Sequence, residues 1–116
     1  MDYHIVYAQS FKKCIRRLEK KYRHVRDDVR DAIKEILQYP RIGPTPPGWS
    51  GARKHRVANT DAQRGKSGGY RLVYLVEDQP TPTIYLLLLY SKSDQSDVSN
   101  YEIEQLLSAL DDEFKS

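Results

Sequence analysis

A chain of 116 residues and 13.5 kDa, 39% hydrophobic and 30% charged, carries enough apolar content for one modest core and points to a single domain over residues 1–116. Its one cysteine, Cys14, excludes an intramolecular disulfide and Cys-rich zinc modules, and the apolar run Ile84 to Tyr90 is too short to cross a bilayer. The opening MDYHIVYAQS has no basic region followed by an apolar stretch, so the expectation is a soluble cytoplasmic protein without a membrane partner.

The elements follow in order. Tyr3 to Ala8 reads as a short strand, and Ser10 stands where a helix N-cap would. Phe11, Ile15, Leu18 and Tyr22 then form an apolar stripe at helical spacing. Val25, Val29, Ala32, Ile33, Ile36 and Leu37 form a second, which Pro40 stops. The two helices are expected to make a hairpin broken near Tyr22 to His24 and packed on a sheet. Residues 41–51, with three prolines and three glycines, form a loop. Lys54 to Ala58 and Tyr70 to Val76 read as strands joined by a polar, glycine-rich connection. Thr83 to Tyr90 is apolar at every other position and between, as a strand covered on both faces would be. Ser99 and Glu102 form a capping box, with Val98 and Ile103 as its hydrophobic staple, ahead of a helix marked by Leu106, Leu107 and Leu110. The predicted class is α+β: a small antiparallel sheet with an N-terminal helix hairpin and a C-terminal helix, in the order β-α-α-β-β-β-α.

Net charge is only +3, but it is unevenly spread. Residues 11–34 carry ten Lys/Arg against four Asp/Glu, which reads chiefly as a solvated helix face. Residues 94–116 carry seven acids against Lys115, and the acidic tail 111–113 reads as a solvated helix end. Residues 53–71 carry Arg53, Lys54, Arg56, Arg64, Lys66 and Arg71 against Asp61 alone. This last cluster lies among strands and glycines, where no solvated helix face is available, and suggests a polyanion-facing surface.

In an extended strand residues two apart share a face, so Lys54 and Arg56 point one way and His55 and Val57 the other. Arg71 opens the next strand, and Tyr90 and Lys92 end the last. If these strands are neighbours, the cations converge on one patch. The patch holds no carboxylate pair, and the three histidines lack metal-ligand spacing, so no metal and no cofactor are expected. Gly65-Lys66-Ser67 is not a phosphate-binding loop, because Thr60 stands where that pattern needs glycine.

A cationic patch of this kind suits RNA cleavage through the adjacent 2′-hydroxyl, because the attacking oxygen belongs to the RNA. The protein then has to orient that oxygen, accept its proton, neutralise the phosphorane and protonate the leaving 5′-oxygen. Arginine matches phosphate oxygens and stays charged. Lysine can act as base where close cations favour its neutral form, and Lys54 is the best placed. Tyr90 can orient or stack on a nucleobase or pass a proton.

The runs K-H-R-V-A (Lys54 to Ala58), R-G-K-S-G-G-Y-R-L-V-Y (Arg64 to Tyr74) and I-Y-L-L-L-L-Y-S-K-S-D (Ile84 to Asp94) resemble the RelE/ParE superfamily of toxin–antitoxin toxins, nearest its RelE-like, HigB-type branch. The resemblance covers residues 3–110. It implies a toxin of a type II system that enters the ribosomal A site, cuts mRNA there without metal, and is neutralised by a cognate antitoxin. By motif position it implies catalytic roles for Lys54, Arg56, Arg71 and Lys92, with Tyr90 as the aromatic, and RNA contacts from Arg53, Arg64 and Lys66. Ser93 and Ser99 stand where some relatives carry a functional arginine and tyrosine, and Tyr101 lies two residues beyond. The alternatives on the same scaffold are a gyrase-inhibiting toxin of the ParE type and a non-catalytic RNA- or protein-binding module.

Overall fold

The computed structural model describes residues 2–63, 65 and 68–115. The order is β1 (His4–Tyr7), α1 (Gln9–Glu19), α2 (Val25–Gln38), β2 (Arg53–Val57), β3 (Tyr70–Glu77), β4 (Thr83–Ser91), α3 (Asn100–Leu110) and a single π-helical turn, Asp111–Lys115. The α+β class and the order of elements are as the sequence predicts. The sheet runs β1-β4-β3-β2. It is mixed rather than wholly antiparallel: β2, β3 and β4 alternate in direction, but β1 lies parallel to β4, with Ile5 beside Ile84. The cause is the connection. Parallel strands need a long crossover between them, and the α1–α2 segment supplies it between β1 and the β2–β3–β4 meander.

Two apolar layers sandwich the sheet. The hairpin buries Phe11, Ile15, Leu18, Val25, Val29 and Ile36 against Leu72, Tyr74, Ile84 and Leu86. On the other face α3 buries Ile103 and Leu110 against Val73, Leu87 and Trp49. A central β4 covered on both faces explains why its sequence shows no alternation.

That strand holds a bulge. Val73 pairs with Leu88 but Tyr74 pairs with Leu86, which leaves Leu87 as an extra residue. Alternation reverses across it. Ile84 and Leu86 face the hairpin, yet so does Leu89, while Leu87 and Tyr90 face α3. A bulge is the standard device for re-aiming side chains on one stretch of a strand.

The helix ends show where local grammar held. Pro40 forces Tyr39 out of the helical region, to φ −135° and ψ 82°. Ser99 Oγ accepts the Glu102 N–H at 3.1 Å, and the Glu102 carboxylate accepts back from the Ser99 N–H, closing the predicted capping box. Ser10 does not cap α1. It lies inside the helix and donates to the Leu87 carbonyl at 2.6 Å, while Ala8 occupies the N-cap. The cap comes instead from the far end of the chain: the Gln9 N–H donates to the Glu113 carboxylate at 3.2 Å. The acidic tail is thus no mere solvated end; its turn closes α1 and sets Phe114 on Tyr85, ring centroids 6.0 Å apart.

Candidate functional site

Antiparallel register brings the predicted strand residues together. Arg56 pairs with Arg71 across β2–β3, and Arg71 pairs with Tyr90 across β3–β4. Directly opposed residues share a face, so Arg56, Arg71 and Tyr90 form one row on the α3 side. Lys54 sits two residues along β2 on that face, opposite Val73. Past the end of β4, the Lys92 N–H donates to the Gly69 carbonyl at 2.9 Å, which ties the segment after the strand to the turn before β3.

Gly69 makes this close approach possible. A Cβ there would fall on the Val57 carbonyl and 2.8 Å from the Asn59 amide nitrogen, so only glycine lets β3 start so near the end of β2. The result is a cleft of about 370 Å³ lined by Lys54, Arg56, Arg71 and Lys92, together with the Ile42–Pro44 segment and His55. Its size suits a small ligand or one nucleotide of a chain.

The cations differ in setting. Arg56 is exposed, whereas Arg71 is 5% exposed and donates to the Tyr70 carbonyl at 3.1 Å. Burial first, and the repulsion of Arg56 second, pull the Arg71 guanidinium below its ordinary range. Like charges directly opposed across a ladder cost stability, so this row is held against its own electrostatics. An anion bound between the two arginines would remove that cost.

Lys54 is half-buried, with its ammonium 5.5 Å from the Trp49 ring centroid and 3.3 Å from Asp97 Oδ1. Asp97 thus brings a single carboxylate to the patch. Its carboxylate accepts the Val98 N–H at 2.8 Å, and this bond first, then Lys54, holds it below the usual aspartate range. Sequence distance hid it: residue 97 lies in a polar stretch whose only legible signal was the capping box after it.

Tyr90 lies under the patch rather than on it. The residue is 3% exposed, and its hydroxyl finds no hydrogen-bond partner among the described residues. Burial pushes its pKa up to about 12. A ring so enclosed does not present a face to a nucleobase. Arg53 points to the hairpin side, by the same alternation that turns Lys54 the other way, and donates to the Gly43 carbonyl at 2.7 Å and the Arg41 carbonyl at 3.2 Å. It holds the loop that borders the cleft and does not itself line the cleft. Arg64 and Lys66 lie outside the described residues. Asp78, seven residues beyond Arg71, pairs with Arg41 at 3.0 Å.

No known protein family matches the chain by sequence. By structure it is similar to a double arginine-to-alanine mutant of the E. coli toxin RelE in the free state, with a TM-score of 0.57 and 19% identity over 98% of this chain and 99% of that one. At that identity the likeness establishes the fold, which is RelE-like.

Proposed function

We propose that this chain is the toxin of a type II toxin–antitoxin pair, an endoribonuclease of the HigB-type branch that cuts mRNA on the ribosome. The observation that carries the reading is the Arg56–Arg71 pair, two guanidinium groups opposed across one ladder at the floor of a cleft that also takes in Lys54 and Lys92. The RelE-like scaffold supports it.

In this reading the RNA supplies its own nucleophile. Lys54, in its uncharged form, takes the proton from the 2′-hydroxyl as the 2′-oxygen bonds to phosphorus. Arg56 and Arg71 hold the non-bridging oxygens and offset the charge that builds on the phosphorane. The bond from phosphorus to the 5′-oxygen breaks, Lys92 gives that oxygen a proton, and a 2′,3′-cyclic phosphate remains. Tyr90 supports Arg71 from below as a positioning residue. The cations of the cleft count against a gyrase-directed toxin, whose action needs no such set.

The partner would be a cognate antitoxin. A groove of about 600 Å³ lined by both helices of the hairpin has a floor that includes Phe11, Ile15, Val29 and Ile33 and a rim that includes Lys12 and Arg16. An acidic amphipathic segment complements both the floor and the rim.

The test is cleavage of a message programmed into ribosomes by purified protein. A product ending in a 2′,3′-cyclic phosphate, lost in Arg71→Ala and Lys54→Ala variants that still fold, is the expected result. Intact message with wild-type protein, beside salt-dependent RNA binding, would instead mark a non-catalytic binding module.

A further inference from the structure

We propose that Ile42 and Pro44 form a nucleobase subsite that packs on the face of a base and does not read its edge, an inference that rests on the reading of the cleft as an RNA site. The cleft has two chemistries. Its cations come from β2, from β3 and from the residue just past β4, while Ile42, Gly43 and Pro44 run along the free edge of β2. The edge is closed by the Lys54 N–H, which donates to the Pro44 carbonyl at 3.0 Å. An apolar wall joined to a phosphate-sized cluster of positive charge matches a ligand whose flat apolar part is tethered to an anion. A nucleotide in a single strand is such a ligand.

Ile42 is 46% exposed, which for an isolated surface isoleucine needs no explanation. Here it stands on a loop fixed at every residue. The Ile42 N–H donates to the Tyr39 carbonyl at 3.0 Å and the Gly43 N–H to the Tyr74 hydroxyl at 3.1 Å. That hydroxyl in turn donates to the Pro40 carbonyl at 2.7 Å, and Arg53 clamps the carbonyls of Arg41 and Gly43. A Cβ on Gly43 would meet the Lys54 carbonyl oxygen at 2.9 Å, so the loop lies tightly against β2. An exposed apolar side chain held rigidly beside a cationic cleft is a preorganised contact surface.

The same bonds decide what the wall can recognise. The Ile42 N–H, the Gly43 N–H and carbonyl and the Pro44 carbonyl are all engaged within the protein, and Pro44 has no N–H. The side chains of Ile42 and Pro44 carry no polar atom. With the Ile42 carbonyl as its one remaining polar atom, the subsite offers area without a paired donor–acceptor code, and it accepts any of the four bases.

The test is binding of short single-stranded RNA, methylated on its 2′-oxygens so that it is not cut. One version carries all its bases and another has an abasic residue in the middle. Wild-type protein is expected to favour the full RNA by about fivefold, with the four central bases alike to within about threefold. Ile42→Ala should erase the preference while leaving affinity for the abasic RNA unchanged, and a thermal melt checks that the variant is folded. Arg56→Ala should weaken both RNAs equally. Equal wild-type affinity for the two RNAs, with Arg56→Ala still weakening both, would overturn the subsite and leave the RNA reading standing. Strong preference for one base would overturn reading by the face. Failure of both RNAs to bind would overturn the subsite and the RNA reading together.

Discussion

Lys54, which lines the cleft assigned to RNA, is bonded to Asp97 across 43 residues of chain, 3.3 Å from ammonium to carboxylate. The carboxylate engages the side chain that the proposed chemistry uses as its base. A phosphate entering the cleft competes with Asp97 for Lys54.

Asp97→Asn tests this competition. Asparagine retains an acceptor for the Val98 N–H, so the fold should be undisturbed. RNA affinity should rise, and the slope of log affinity against log salt should steepen by about 0.7, the effect of one more phosphate contact on a single strand. An unchanged slope, measured by fluorescence anisotropy, would mean that Lys54 touches no phosphate. The sign of the pH effect is also fixed. Because the pKa of Asp97 is depressed in the fold, its contribution to stability is full above the ordinary aspartate range and is lost as pH falls below that range and through the lower folded-state value.

Arg56→Ala should abolish cleavage yet stabilise the protein by about 0.2–1 kcal/mol at low salt, because it removes a like charge opposed to Arg71. The gain should shrink in high salt, as the repulsion is screened. Urea melts at two ionic strengths decide it; a loss of stability would show that the two arginines are not in electrostatic conflict.

Gly69→Ala should cost about 1–3 kcal/mol or more, because the added methyl meets backbone of Val57 and Asn59 rather than a side chain that can turn aside. The same urea melts read the loss. A variant as stable as wild type would show that β3 need not approach β2 so closely.

Tyr90→Phe separates a support from a proton carrier. Since the folded-state pKa is raised to about 12, the tyrosine contributes stability that is full below its ordinary value and is lost as pH rises towards 12. Phenylalanine should make the alkaline loss smaller, leaving the shares of Tyr70 and Tyr74, whose pKa values burial also raises, and should keep stability at neutral pH equal or higher, because a buried hydroxyl without a partner among the described residues is removed. Cleavage should persist. Cleavage lost with stability intact would assign the hydroxyl to the reaction.

The fold was legible wherever local chemistry dictates geometry. The Phe11–Tyr22 stripe, the stop at Pro40 and the Ser99–Glu102 box each depend on residues a few positions apart, and each is where the pattern places it. The same holds for Lys54 and Arg56 on one face. What escaped depends on long-range closure. The direction of β1, the cap that Glu113 places on α1 and the arrival of Asp97 at Lys54 join residues separated by dozens of positions. Arg53 escaped for a simpler reason: composition counts it with the cluster, and pleat alternation sends it to the loop.

The run Leu86 to Leu89 works as a phase shifter. Four identical residues conceal a half-step, the extra Leu87, within an otherwise regular ladder. The stretch before the extra residue can therefore change without disturbing the end that meets Arg71, so long as the pairing beyond it is kept. Losing Leu87 alone would leave a regular strand in which Leu86 still meets Tyr74 and Tyr90 still meets Arg71, so the ladder could shed this spacer without turning either end over.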